Sequence, residues 1–202
     1  MNKKITDDLA HIRSMMERSS RFISLSGISG IVAGIIGVVT GFWASKMIEH
    51  TSRNSTQEFY FPQELVLKLI LLGGSALFLA LAFGIFFTVR KSKKQGLSIW
   101  TSTTKSILMH LFTPLLVGGI FCLALIHYQI HGLVAGTMLV FYGLALVSAE
   151  KFTFSDVKYL GFCEIILGLI SLFWIGKGLL FWTIGFGFMH IIYGIILYKK
   201  YK

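Results

Sequence analysis

Six long apolar runs leave this chain little to fold into except a bundle of membrane-spanning helices. They cover residues 22–44, 65–89, 107–126, 132–149, 159–175 and 179–198. A bilayer span needs roughly 20 predominantly apolar residues, and each run reaches or nearly reaches that length. The runs are continuous and lack the alternation of a barrel strand. Of the 202 residues, 54% are hydrophobic and 14% charged, too apolar a mixture for an ordinary soluble domain. The expected fold class is all-α: a polytopic six-span membrane bundle over residues 22–202, preceded by a leader over residues 1–21. The first run is too long for the core of a signal peptide and no A-x-A site follows it, so it reads as a retained span.

Charge orients the spans. Lys and Arg collect on the cytoplasmic side of short loops. With both termini inside, fifteen basic residues fall inside: Lys3, Lys4, Arg13, Arg18 and Arg21 of the leader, Arg90, Lys91, Lys93, Lys94 and Lys105 of the second loop, Lys151 and Lys158 of the fourth, and Lys199, Lys200 and Lys202 of the tail. Only Lys46, Arg53, Lys68 and Lys177 fall outside. The net charge of +10 is thus topological first, with contacts to anionic lipid second, and nucleic acid is not an expected partner. The largest outer loop runs over about residues 45–64.

The leader carries Ile5, Leu9, Ile12 and Met16 at spacings of 4, 3 and 4, one apolar stripe of a helix. A short amphipathic helix on the inner membrane face is expected, serving as an anchor or as a docking surface for a partner.

Small residues mark the faces where helices meet. In lipid, helix association relies on close packing, and glycines let backbones approach. The first run holds Gly27, Gly30, Gly34, Gly37 and Gly41 at spacings of 3, 4, 3 and 4. That face must meet another helix, within the chain or in a second copy. Gly132, Gly136 and Gly143 repeat the idea in the fourth run. Pro114 in the third run cannot donate to the His110 carbonyl, which predicts a kink.

The last two runs carry the chemistry. Gly161, Glu164, Gly168 and Ser171 lie on one face of the fifth; Thr183, Gly187, His190 and Gly194 lie on one face of the sixth. The turn Gly176-Lys177-Gly178 predicts an antiparallel hairpin. Glu164 is thirteen residues before Lys177 and His190 thirteen after it, so the two should share one depth on facing stripes. A lone charge at that depth costs about 2.5–3.5 kcal/mol on insertion scales. A Glu164–His190 pair relieves much of this, and a protonated Glu164 is the alternative. The pair is either glue that sets helix register or a proton-relay or ligand site, which Tyr193, one turn from His190, could extend.

Other residues are less telling. Cys122 and Cys163 read as small buried hydrophobes without a metal or redox spacing. His127 and His131 belong to the membrane interface. No hydrolase, zinc-protease or phosphate-loop motif stands in the chain, so no catalytic residue, metal site or cofactor is assigned and the protein is not expected to be an enzyme. A haem held by His110 and His190 is a remote alternative.

Two stretches carry a resemblance. One is Met16-Glu17-Arg18-Ser19-Ser20-Arg21-Phe22-Ile23-Ser24-Leu25-Ser26-Gly27. The other runs from Phe141-Tyr142-Gly143-Leu144-Ala145-Leu146 through Tyr159-Leu160-Gly161-Phe162-Cys163-Glu164-Ile165-Ile166-Leu167-Gly168 to His190-Ile191-Ile192-Tyr193-Gly194. The chain resembles a family of uncharacterised bacterial multi-span membrane proteins with no established activity. The resemblance implies a bacterial inner-membrane location and no function.

The leading functional expectation is a non-enzymatic sensor, regulatory or partner-binding membrane subunit. Its partners would be the lipid bilayer and a protein, another chain or a second copy. The alternative is a small transporter or proton-coupled permease centred on Glu164 and His190.

Overall fold

A computed structural model describes residues 27–52, 61–94, 96, 99–153 and 156–200. Among them the chain forms six helices and no strand: α1 (Gly27–Ser52), α2 (Gln63–Lys94), α3 (Ser102–His127), α4 (Val134–Ala149), α5 (Val157–Phe173) and α6 (Gly178–Lys200). It is a helical membrane bundle. Five helices are long and apolar enough to cross a membrane, α4 counting its flanking 3-10 turns His131–Leu133 and Glu150–Phe152. The exception is α5. Its 17 residues give about 26 Å at ~1.5 Å per residue, a little short of the ~30 Å hydrocarbon core. The predicted leader helix lies outside the described residues.

Helices outrun the apolar runs that predict them. The first continues to Ser52, into the stretch expected as outer loop, because Met47 and Ile48 prolong its apolar side and Lys46 pairs with Glu49 at 3.5 Å, an (i, i+3) contact that supports helix. The second extends at both ends, with Glu64 and Lys68 paired at 2.7 Å and a basic last turn of Lys91, Lys93 and Lys94. α3 begins under a cap: the Thr101 hydroxyl accepts from the Thr104 amide at 3.1 Å, meeting one of the first-turn donors that have no helical partner. α3 then runs through Pro114 without a break in the helix. Gly176, at φ +93°, supplies the left-handed residue that ends α5 and turns the chain into α6.

The helices assemble as two layers of three. In one, α1 lies between α2 and α6; in the other, α4 lies between α3 and α5. α6 joins the layers by touching α4 and α5. A small apolar core of Leu146, Val157, Leu160 and Leu197 fills one end of that junction. Lys200 closes the same end by donating to both Asp156 carboxylate oxygens at 2.9 Å.

The glycine faces decide who packs on whom, and here one expectation is corrected. The five-glycine face of α1 is internal, and its partner is α6. A Cβ added at Gly30 would lie 3.1 Å from the Gly194 Cα, and one at Gly34 would lie 2.6 Å from the Gly187 carbonyl oxygen. Gly27 meets the backbone of Gly194 and Tyr198, Gly37 meets the Phe186 carbonyl, and Gly41 meets the Thr183 side chain. The small faces of α5 and α6 therefore do not meet each other. Gly187 and Gly194 are taken by α1, and Gly161 and Gly168 by α4. A Cβ at Gly161 would lie 2.9 Å from the Gly143 oxygen, and one at Gly168 would lie 2.8 Å from the Gly136 oxygen. The physical reason is that small residues permit close approach on any side. The periodicity defines a face but does not choose its partner.

Candidate functional site

α6 is not a uniform helix. It is α-helical over Gly178–Trp182, π-helical over Thr183–Met189 and α-helical again over His190–Lys200. A π segment widens the helix and turns carbonyls away from their ordinary partners. The widened backbone, at Phe186 and Gly187, sits against Gly34 and Gly37 of α1. Only a face without side chains leaves room for it. Within the segment, His190 donates from Nδ1 to the Gly185 carbonyl oxygen at 2.9 Å. The histidine side chain thereby satisfies a carbonyl of the disturbed helix.

That bond assigns the tautomer. A carbonyl can only accept, so Nδ1 carries a proton, and in the neutral ring Nε2 is the acceptor. Its partner is Tyr142 of α4, whose hydroxyl lies 2.8 Å from Nε2. Glu164 of α5 stands on the other side, with Oε1 3.4 Å from Nδ1. Its side chain is 0% exposed, and among the described residues neither carboxyl oxygen has a hydrogen-bond partner. The carboxyl rests on Gly185, where any Cβ would collide with Oε2 and would lie 2.5 Å from the Leu139 side chain. Phe186 covers the cluster, its ring 4.9 Å from that of Tyr142 and stacked at 5.9 Å on the imidazole.

Three titratable groups thus follow one another: the Glu164 carboxyl, the His190 imidazole and the Tyr142 phenol. Each comes from a different helix, and they meet where the two layers join. Glu164 and His190 come together as the hairpin arithmetic expects, although their glycine neighbours face elsewhere. Tyr193, expected to extend the pair, lies close enough to Tyr142 for the two phenols to interact electrostatically. It is half-buried and packs on the apolar core of Leu146 and Leu197, while Tyr142 supplies the hydroxyl. Sequence reasoning passed over Tyr142 and Gly185. The available signal was a phenol in the middle of the fourth run, since a buried Tyr hydroxyl needs a partner.

Both His190 ring nitrogens are engaged, Nε2 with Tyr142 and Nδ1 with Gly185. His110 is exposed on α3, donates from Nδ1 to the Ser106 carbonyl at 2.8 Å and packs on Phe152 at 4.8 Å. His131 packs on Phe61 at 5.2 Å and His127 on Tyr128 at 5.1 Å, both at the ends of spans. Cys122 is buried as expected, but Cys163 is exposed on α5: it lies outside the Gly161–Gly168 face that α4 covers.

No protein-family model, no curated protein and no solved structure matches the chain.

Proposed function

We propose that the protein is a non-enzymatic membrane subunit of the bacterial inner membrane, with both termini inside, that recognises a transmembrane helix of a partner protein through α2. One contrast carries this reading. The glycines of α1, α4 and α5, and the π-helical and later glycines of α6, all meet a neighbouring element within 4 Å. Among the described residues, Gly73, Gly74 and Gly84 of α2 meet nothing, whereas α3 has a single such position, Gly119. Glycine weakens a helix interior by about 0.8–1 kcal/mol relative to alanine, and in membrane helices close contact is what offsets that. At the glycines of α2 the described residues provide no such contact. The only buried residues of α2, Leu65 and Ser92, are near its ends, and Leu71, Leu77, Phe78 and Ile85 are exposed along its middle. The fifteen-to-four bias of basic residues supports the orientation.

The test is native mass spectrometry of the protein released from its own membrane. A discrete polypeptide mass beyond the single chain is expected, and Gly74→Leu with Gly84→Leu should reduce that species at least tenfold while the chain remains folded. A single chain alone from the wild type would overturn the reading, and a dimer mass would replace the foreign partner with a second copy.

A second reading rests on a different observation. The Glu164–His190–Tyr142 line joins the two layers at their contact, where a proton-coupled permease would need a titrating element. Liposomes carrying the protein should then pass protons under an imposed potassium potential, and Glu164→Gln should return the rate to that of protein-free liposomes. Equal rates in the two variants, or a wild-type rate at the protein-free level, would sink it.

A further inference from the structure

Where α1 ends and α2 begins, the two helices part around a cavity of about 330 Å³. Trp43, Lys46 and His50 line it from α1, and Glu64, Leu65 and Lys68 from α2. Lys46 is six residues before the end of its helix and Lys68 five after the start of its own. At ~1.5 Å per residue both ammonium stems start about 8–9 Å inside the helix ends. That is the level at which acyl chains give way to headgroups. The wall matches this boundary: Trp43 and Leu65 are apolar, and a tryptophan is at home in the interfacial belt.

The placement of the lysines is the unusual part. The charge bias leaves four basic residues at this end of the bundle, and two of them face one cavity from different helices. Both lysines are more than half exposed. Lys46 lies 3.5 Å from Glu49, longer than the ~2.7–2.9 Å of a firm charged hydrogen bond. Lys68 is bonded to Glu64 at 2.7 Å, but an ammonium has three donors, so it can keep the carboxylate and offer a second N–H. Exposed pairs of this kind are weak because solvent screens them, so an anion of higher charge density can share them. Glu64 is the carboxylate on the wall and opposes an anion close to Lys68.

We propose that this cavity binds the phosphate of a membrane phospholipid, held between the Lys46 and Lys68 ammonium groups, with the glycerol and first acyl carbons against Trp43 and Leu65. The ligand spans the gap between α1 and α2 and ties the two helices together at this end. The proposal does not depend on what α2 recognises.

The experiment uses the full-length chain in detergent, exchanged to remove loose lipid and then given phosphatidylglycerol, with bound lipid read by native mass spectrometry. One phospholipid per chain is expected on the wild type. Lys46→Ala with Lys68→Ala should lower occupancy at least tenfold, and Lys46→Arg with Lys68→Arg should retain it. Both lysines are exposed, so neither variant threatens the fold, and unchanged unfolding midpoints check this. Equal occupancy in the alanine variant would overturn the proposal. Glycerol phosphate without acyl chains is the second arm: full displacement of the lipid by it would overturn the lipid assignment in favour of a soluble phosphate, and failure to displace supports the membrane source.

Discussion

Replacing His190 with alanine is expected to destabilise the bundle by at least about 4 kcal/mol, from the 2–5 kcal/mol of a large-to-small core change together with 1–3 kcal/mol for each buried polar group left without a partner. Two groups are orphaned at once: the Tyr142 hydroxyl, 2.8 Å from Nε2, and the Gly185 carbonyl, 2.9 Å from Nδ1. Unfolding in mixed micelles, with increasing denaturing detergent, reads the loss directly. The partner substitution separates polar from packing effects. Tyr142→Phe in the wild type should itself be destabilising, because it strips His190 of a bond. In the His190→Ala background it should cost little, since removing both members of a pair is far milder than removing one. The non-additivity is expected at about 1–2 kcal/mol, inside the 0.5–3 kcal/mol range of groups in contact. Additive losses would mean that Tyr142 and His190 do not bond. The same cycle on Glu164→Gln and His190→Gln reports whether the 3.4 Å approach is an interaction or only proximity.

The second large effect separates two kinds of glycine. Gly37→Val is expected to lose at least about 3 kcal/mol, the upper end of what overpacking ordinarily costs. Its new Cβ would overlap the Phe186 carbonyl and lie 3.0 Å from the Gly187 nitrogen. Both are backbone atoms of the π segment and cannot rotate aside as a side chain could. The damage should reach the Tyr142–His190 bond, because that segment carries His190. Gly74→Val, in open space, should change stability of the isolated chain by no more than about 0.5 kcal/mol. The contrast is a paired measurement on two glycines of membrane helices, with opposite expectations. A mild Gly37→Val would mean that α1 and α6 do not lie this close, and with that the internal assignment of the five-glycine face would fall.

Much of the architecture was legible without coordinates because bilayer spans are dictated by local composition. The six runs predicted six helices, and the turn at Gly176 predicted the last hairpin. The helix ends were not legible in the same way. An apolar run measures what lipid tolerates, while a helix continues as long as its backbone bonds and side-chain pairs support it, as Lys46–Glu49 and Glu64–Lys68 do. The polar centre was half legible. Glu164 and His190 announce themselves, since ionisable residues in the middle of apolar runs are rare and need partners. Equal spacing from Lys177 brought them to one depth.

What the sequence determined by itself was therefore class, helix count, the small-residue faces and the two ionisable residues that had to be satisfied inside. Each depends on one helix at a time, or on two joined by a short turn. Tertiary structure alone decided that the α1 glycines meet α6, that the α5 glycines meet α4, and that the Tyr142 hydroxyl bonds His190. It also placed the π turn that aims His190 at Gly185. These are choices among helices distant in the chain, and periodicity, which repeats along every helix alike, carries no information about which two faces will meet.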